Sequence, residues 1–263
     1  MLMKTQARPK TGPLYTVGLP ILGPVVFIAA WWLATIVFHI QQFVLPAPPQ
    51  IVTAFGDQAS LLFSSSWVTL RETLIGFLIA AVGGLVVALL LTTFDGIQRA
   101  AWPVVVTINA VPKLAVAPLL VLWMGFGGTP KIVMAALISF FPIVLSTANG
   151  LGSVPADLRE LARALNAPWW KTFSKIRLPG ALPQVFVGLK VAAPLAIVGA
   201  VVSELSNSSE GLGFVLINES AQGETAIAFA AVVLLTVESM LVYYALAGLE
   251  RLVVPWARDT AKA

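Results

Sequence analysis

The sequence predicts an all-α protein that crosses a membrane several times. Three observations lead there. Of the 263 residues, 58% are hydrophobic and only 11% are charged, against about 25% charged in soluble domains. Mean hydropathy is +0.90, more apolar surface than a globular core of this size absorbs. The apolar runs are also continuous rather than alternating, which fits helices that need ~20 residues to cross ~30 Å of hydrocarbon and argues against a β-barrel.

Six spans can be drawn in chain order. A basic tail with Lys4, Arg8 and Lys10 precedes the first, about 15–39, which has no formally charged residue and carries Pro20, Pro24, Trp31 and Trp32. The run is too long for a signal-peptide core and lacks a small-residue cleavage site, so it reads as a retained first helix. Pro46, Pro48 and Pro49 end it, and 51–63 reads as a short amphipathic helix lying at the membrane surface. Arg71 and Glu72 open the second span, 73–91, where Gly83 and Gly84 mark a close helix contact. A polar turn with Asp95, Gly96 and Arg99 leads to the third span, 101–124, interrupted by Pro112 and Pro118 with Lys113 between them. GFGGTP at 125–130 is a turn by composition. The fourth span is about 131–148 and the fifth about 180–202, with Pro183 and Pro194 inside. A Gly/Ser-rich acidic loop at 204–225 separates the fifth from the sixth, about 226–249. The whole chain reads as one transmembrane domain without internal repeat.

An even number of spans puts both termini on one side. That side would hold the terminal cations, Arg99 and the five Lys and Arg of 155–179, twelve in all, against Arg71 and Lys131 on the other. The positive-inside rule makes the richer side cytoplasmic and the 204–225 loop external. The net charge of +4 is then a membrane signature and no sign of nucleic-acid binding.

Composition also excludes chemistry. The chain has no cysteine and one histidine, His39, so disulfides, thiolate metal sites and multi-histidine metal sites are ruled out and the usual nucleophile–base pairs are missing. No catalytic constellation or metal site is expected. A phosphate-cradling G-x-x-x-x-G-K-[ST] loop is absent too.

The polar island 155–179, PADLRELARALNAPWWKTFSKIRLP, breaks this apolar pattern. Pro155 and Asp157 suit a helix start. Leu158, Leu161, Ala162 and Leu165 share a stripe, with Glu160 and the arginines Arg159 and Arg163 largely off it. Asn166 tolerates the left-handed conformation that ends a helix. Pro168 suits the first turn of a second helix, in which Trp169, Phe173 and Ile176 recur on one face, and Pro179 marks a boundary before the fifth span. The residues describe two short amphipathic helices joined by a tight turn. They fit a hairpin at the headgroups and a dock for a soluble partner equally well.

The same stretch resembles the signature of ABC-importer permeases, E-A-A, three residues, G, nine residues, I-x-L-P. Glu160 begins it, Ala162 holds the third position, and Ile176, Leu178 and Pro179 close it at the family spacing. Leu161 stands for the first alanine and Asn166 for the glycine. The stretches VPKLAVAPLLVLWMGFG (111–127) and SEGLGFVL (209–216) resemble permeases of the nitrate/sulfonate/taurine group, which also serves pyrimidine precursors, riboflavin and aromatic acids. The resemblance implies a six-helix type I importer permease in a bacterial inner membrane, paired with a second copy and with two ATP-binding-cassette ATPases. Glu160, Leu161, Ala162, Arg163, Asn166, Ala167, Trp169 and Phe173 would seat in the ATPase groove. ATP and Mg would bind on that partner and no cofactor on this chain. A periplasmic or lipid-anchored solute-binding protein would deliver the solute.

Charges within the spans stand out, because each costs roughly 2.5–3.5 kcal/mol at mid-bilayer. Beside Pro112, Lys113 fits a pathway lysine bonded to carbonyls freed by proline, or one paired with a buried carboxylate such as Glu238. Lys190 reads as snorkelling to the cytoplasmic face. Glu204 fits a gate residue or an interface carboxylate. Gly211 and Gly213 allow a tight turn, which the resemblance places near the external gate. A secondary transporter or channel is the competing class. Its ion coupling would have to rest on Lys113 and Glu238 alone.

Overall fold

Inside a bilayer the backbone N–H and C=O groups find no partner outside their own segment, so the apolar runs fold as helices. The computed structural model describes residues 19–93, 95–153, 155–206 and 208–256, which carry helices and no strand. In order these are α1 (Leu19–Val37), α2 (Pro48–Asp57), α3 (Ala59–Thr93), α4 (Asp95–Ala110), a 3₁₀ turn (Lys113–Val116), α5 (Ala117–Met124) and α6 (Gly128–Gly152). There follow α7 (Ala156–Ala164), α8 (Trp169–Thr172), a π turn (Phe173–Arg177), α9 (Leu178–Leu205), α10 (Leu212–Ala221) and α11 (Thr225–Val253). Among the described residues four helical rods are long and apolar enough to cross a membrane: α3, α6, the continuous Trp169–Leu205 and α11. The pair α4–α5, bent by 72°, is a fifth if counted as one span. The described apolar part of the first expected span, Leu22–Val37, is shorter, and residues 15–18 lie outside the described residues.

Three rods, α3, α6 and α9, make the centre. Their contact faces are built from small side chains, which lets backbones approach closely where lipid supplies no hydrophobic drive. A Cβ on Gly76 of α3 would meet the Ile132 carbonyl oxygen of α6 at 2.5 Å, and one on Gly199 of α9 would meet the Ala135 Cα at 2.7 Å. Ala192, Ala193, Ala196 and Ala200 continue the α9 face against Ala135 and Ile143. A second core joins α2, α10 and α11 through Ile51, Leu212, Val215, Ala230 and Leu234, with Leu62 from the start of α3.

Several expected boundaries move. The short helix expected at 51–63 is divided between α2 and the start of α3, and α2 buries Ile51 and Ala54 against α11. The second span begins at Ala59, so Glu72 is buried within a 35-residue helix and opens nothing. The polar turn expected at 95–99 is the first part of α4. The third span breaks at Pro112 as expected, but Pro118 sits near the N-terminus of α5, where its missing N–H costs nothing. Gly125, at φ 78°, ends α5 in a conformation that favours glycine, while Thr129 and Pro130 already belong to α6. Pro179 marks no boundary either. The wide π turn at Phe173–Arg177 absorbs the proline's missing donor, and α8 runs on into α9. Ten residues of the acidic 204–225 loop form α10.

Candidate functional site

Three features sit along the bundle. At one end, α7 and α8 form the helix pair of the polar island. Asn166 adopts φ 47°, the left-handed turn that its side chain tolerates, and the Ala167 N–H reaches back to the Ala162 carbonyl at 3.0 Å to close α7. Ala162 is buried, whereas Leu158, Leu161 and Leu165 are exposed, Leu165 to 71%. Glu160 and Asn166 are exposed as well, and Ala167 is half-buried. Trp169 stacks on Phe173 with centroids 5.3 Å apart and planes 11° apart, and Trp169 and Trp170 remain open. The Arg163 side chain lies outside the described residues. So this end carries an apolar face that nothing among the described residues covers.

Arg177 ties that pair to the bundle. Its Nη2 donates to the carbonyls of Thr92, at the end of α3, and Leu151, at the end of α6, at 3.2 and 3.4 Å. A cation at two helix C-termini meets two sets of unpaired carbonyls and two negative dipole ends. Sequence reasoning passed over Arg177, since nothing local shows that two distant helices end beside it.

Midway, the bend between α4 and α5 holds Pro112 and Lys113. Lys113 Nζ donates to the Asn109 carbonyl at 3.0 Å and to Asn109 Oδ1 at 2.8 Å. The carbonyl is one that the broken helix leaves without its usual partner. The ammonium also stands 4.7 Å from the centroid of the Phe141 ring, a cation–π distance. Pro112, Leu114 and Ala115 are exposed. Glu238 is not the partner of Lys113. It is buried between α11 and α3, where the Ser66 hydroxyl donates to its Oε1 at 2.5 Å. Lys190 does not snorkel freely; it pairs with Glu250 of α11 at 2.7 Å.

At the far end, Glu204 is 1% exposed and forms no interface carboxylate. It accepts the Gly213 N–H at 2.7 Å and the Thr69 hydroxyl at 2.8 Å, and Thr69 in turn accepts the Leu212 N–H at 2.8 Å. A carboxylate and a hydroxyl thus take two of the free donors at the N-terminus of α10, on its positive dipole end. Gly211, at φ 105°, turns the chain here, and any Cβ on it would overlap the Glu204 carboxylate. Next to it Lys131, 2% exposed, lies 3.2 Å from Glu72 Oε2, and its Nζ donates to the Glu210 carbonyl at 3.1 Å. Sequence reasoning set Lys131 at a span edge and Glu72 at an opening. The pair becomes visible only when α3 is known to start thirteen residues before Glu72.

Comparison with known proteins gives these features a frame. Residues 81–259 match the family described as binding-protein-dependent transport system inner membrane component. A probable ABC transporter permease protein of Haemophilus influenzae is 35% identical over 227 residues, covering 86% of this chain and 93% of the relative. The putative aliphatic sulfonates transport permease protein SsuC of Bacillus subtilis is 33% identical over 90% of this chain and 86% of its own. The riboflavin transport system permease protein RibX of Chloroflexus aurantiacus is 33% identical over 96% of both. Among solved structures, an inward-facing MetNI methionine ABC transporter chain aligns with a TM-score of 0.65 at 22% identity, covering 74% of this chain and 97% of that one, which supports the fold. The chain therefore belongs to the ABC transporter permeases of binding-protein-dependent transport systems and is a multi-pass protein of the bacterial inner membrane.

Proposed function

We propose that the chain is the translocating subunit of an ATP-driven importer and works as a pair of identical copies. The bend between α4 and α5 carries the proposal. Irregular backbone at membrane depth persists only where protein covers it or a water-filled cavity meets it. In the single chain Pro112, Leu114 and Ala115 are uncovered. A second copy facing this bend supplies the cover, and the space between the two bends is the solute path. Discontinuous helices of this kind mark substrate sites in transporters.

The rest follows from the two ends. The chain crosses the membrane six times as a single permease domain, with both termini and the 155–179 loop in the cytoplasm. There the exposed Leu158, Leu161, Leu165 and Trp169 face seats in an ATPase that holds ATP and Mg, with Glu160, Ala162, Arg163, Asn166, Ala167 and Phe173 shaping the contact. Arg177 carries the motion of the ATPase to the ends of α3 and α6. On the external side, Glu204, Gly211 and Gly213 hold α10 at the gate, where a solute-binding protein delivers a small organic solute or anion. Relatives handle aliphatic sulfonates, riboflavin, taurine and nitrate.

Co-expression with neighbouring ATPase and binding-protein genes tests this. A P-loop ATPase should co-purify with the tagged chain, and proteoliposomes should take up solute only with ATP. Deleting residues 158–176 should remove the ATPase while the chain stays in the membrane. Retention of the ATPase after that deletion would overturn the coupling role, and uptake without ATP would favour a secondary transporter.

A further inference from the structure

One hydroxyl joins three helices where α3 meets α9 and the start of α10. Thr69 of α3 is fully buried. Its Oγ1 accepts the Leu212 N–H of α10 at 2.8 Å, and its O–H donates to Glu204 Oε1 of α9 at 2.8 Å. The other carboxylate oxygen takes the Gly213 N–H at 2.7 Å. Hydroxyl, carboxylate and the adjacent peptide groups of Leu212 and Gly213 thus close a ring. The Thr69 hydroxyl also lies 3.2 Å from the Ser65 carbonyl, one turn back on α3. A helical threonine can bond the carbonyl four residues before it. Its single proton therefore has two acceptors in reach and can leave Glu204 without becoming an orphan. A second sign lies beside the ring. Thr73, one turn further along α3, and Ser203, next to Glu204 on α9, are buried, and neither hydroxyl meets a partner among the described residues. Buried hydroxyls are normally satisfied, and parting α3 from α9 here would give both of these to water.

We infer that Thr69 is a positioning residue, a catch that holds α10 to α3 while its O–H points to Glu204 and frees α3 when the O–H turns to the Ser65 carbonyl. The inference rests on the translocation reading and names the contact at which the external end of the chain opens. With the catch shut, α10 is fixed to α3 and α9 together. With it released, Glu204 keeps Gly213, so α10 stays on α9, while the Leu212 N–H and the freed carboxylate oxygen turn to entering water. Neither arrangement leaves a buried donor unanswered, which keeps the two close enough in free energy to exchange. A plain helix cap differs from this. Glu204 alone already caps α10, and a cap needs neither a second acceptor for the threonine nor unpaired hydroxyls along the contact.

The chain has no cysteine, so two introduced thiols report one distance. Spin labels go on Trp67→Cys of α3 and Ile217→Cys of α10, both exposed positions, in the assembled permease–ATPase complex in phosphatidylcholine nanodiscs. Without nucleotide the labelled pair should give one short separation, and with ATP, Mg and vanadate a second, longer one should appear. Thr69→Val keeps the shape and loses the hydroxyl. Without nucleotide it should raise the ratio of long to short separations by about ten-fold or more, the effect of losing two hydrogen bonds. Thr69→Ser restores the hydroxyl and should return the ratio to that of the parent pair. Ser66→Ala controls for plain loss of stability, because it deletes the α3 hydroxyl that bonds Glu238 of α11; it should leave the ratio unchanged. The proposal is overturned by an unchanged ratio in Thr69→Val, by an equal rise in Ser66→Ala, by failure of Thr69→Ser to restore the ratio, or by a single separation in the parent pair in both nucleotide states. ATPase co-purification and vanadate trapping are scored on the same samples. Complexes that lack the ATPase count against the translocation reading, whereas assembled, vanadate-trapped complexes whose labels do not move count against the catch alone.

Discussion

Replacing Lys131 by methionine should destabilise the fold more than replacing Glu72 by glutamine. The two charges are 3.2 Å apart with side chains 3% and 0% exposed. Lys131→Met leaves the Glu72 carboxylate sealed in the bundle with no cation, and deleting one partner of a buried pair costs about 3–5 kcal/mol. Glu72→Gln is milder. Lys131 keeps the Glu210 carbonyl at 3.1 Å and has the Glu210 carboxylate at 4.0 Å, itself 56% exposed. The loss is then that of one charged hydrogen bond, about 1.5–3 kcal/mol. Combining Glu72→Gln with Lys131→Met removes both charges together and should recover at least half of the Lys131→Met loss, because the desolvation of the pair is removed along with its attraction. Unfolding free energies from SDS titration in mixed micelles, followed by far-UV circular dichroism, give the full cycle. A Lys131→Met loss smaller than that of Glu72→Gln, or a double variant that costs the sum of its parts, would refute the reasoning.

Other outcomes follow from the same geometry. Gly211→Ala combines a disfavoured backbone at φ 105° with overlap on Glu204, so it should cost more than about 2 kcal/mol and shift protease sensitivity first at the α9–α10 connection. Asn166→Gly should leave assembly with the ATPase intact, while Asn166→Val, a β-branched residue at φ 47°, should weaken it; equal co-purification of the two would show that the turn does not matter. Arg177→Ala should uncouple, lowering uptake per ATP hydrolysed more than it lowers ATPase binding, because the carbonyls it joins belong to the spans. Lys190→Met should cost about 1 kcal/mol or less, since the Lys190–Glu250 pair is partly exposed, and the same SDS titration reads it.

How much of this was legible in the sequence depends on the range of the contacts involved. The helix pair at 155–179 was readable because its signals are local: a left-handed Asn166, an aromatic spacing of four between Trp169 and Phe173, and a leucine stripe. The break at Pro112 was also local, and the lysine bond to a freed carbonyl follows from proline chemistry. What stayed hidden depends on the register between helices. Glu204 looks like an end-of-span carboxylate until α10 is placed with Gly213 against it. Lys190 looks free until Glu250, sixty residues on, is packed beside it. Pro179 signalled a boundary that the π turn cancelled, since a proline rule assumes regular α geometry before it. In each case the missing information was which two helices touch, and small residues on α6 and α9 set that contact with no charge pattern to reveal it.

The central claim is that the 155–179 pair docks on an ATPase, and one property of the chain makes it directly measurable. The sequence has no cysteine, so a single introduced thiol reports one place. Leu161→Cys lies on the exposed face of α7 and Leu165→Cys in the exposed turn just after it, and Phe126→Cys, 80% exposed, lies on the α5–α6 connection at the other end. With a short bifunctional thiol–amine reagent in membranes that hold the assembled transporter, the first two should cross-link to the ATPase and the third should not. Cross-linking to the ATPase from Phe126→Cys, with none from Leu161→Cys or Leu165→Cys, would contradict the account.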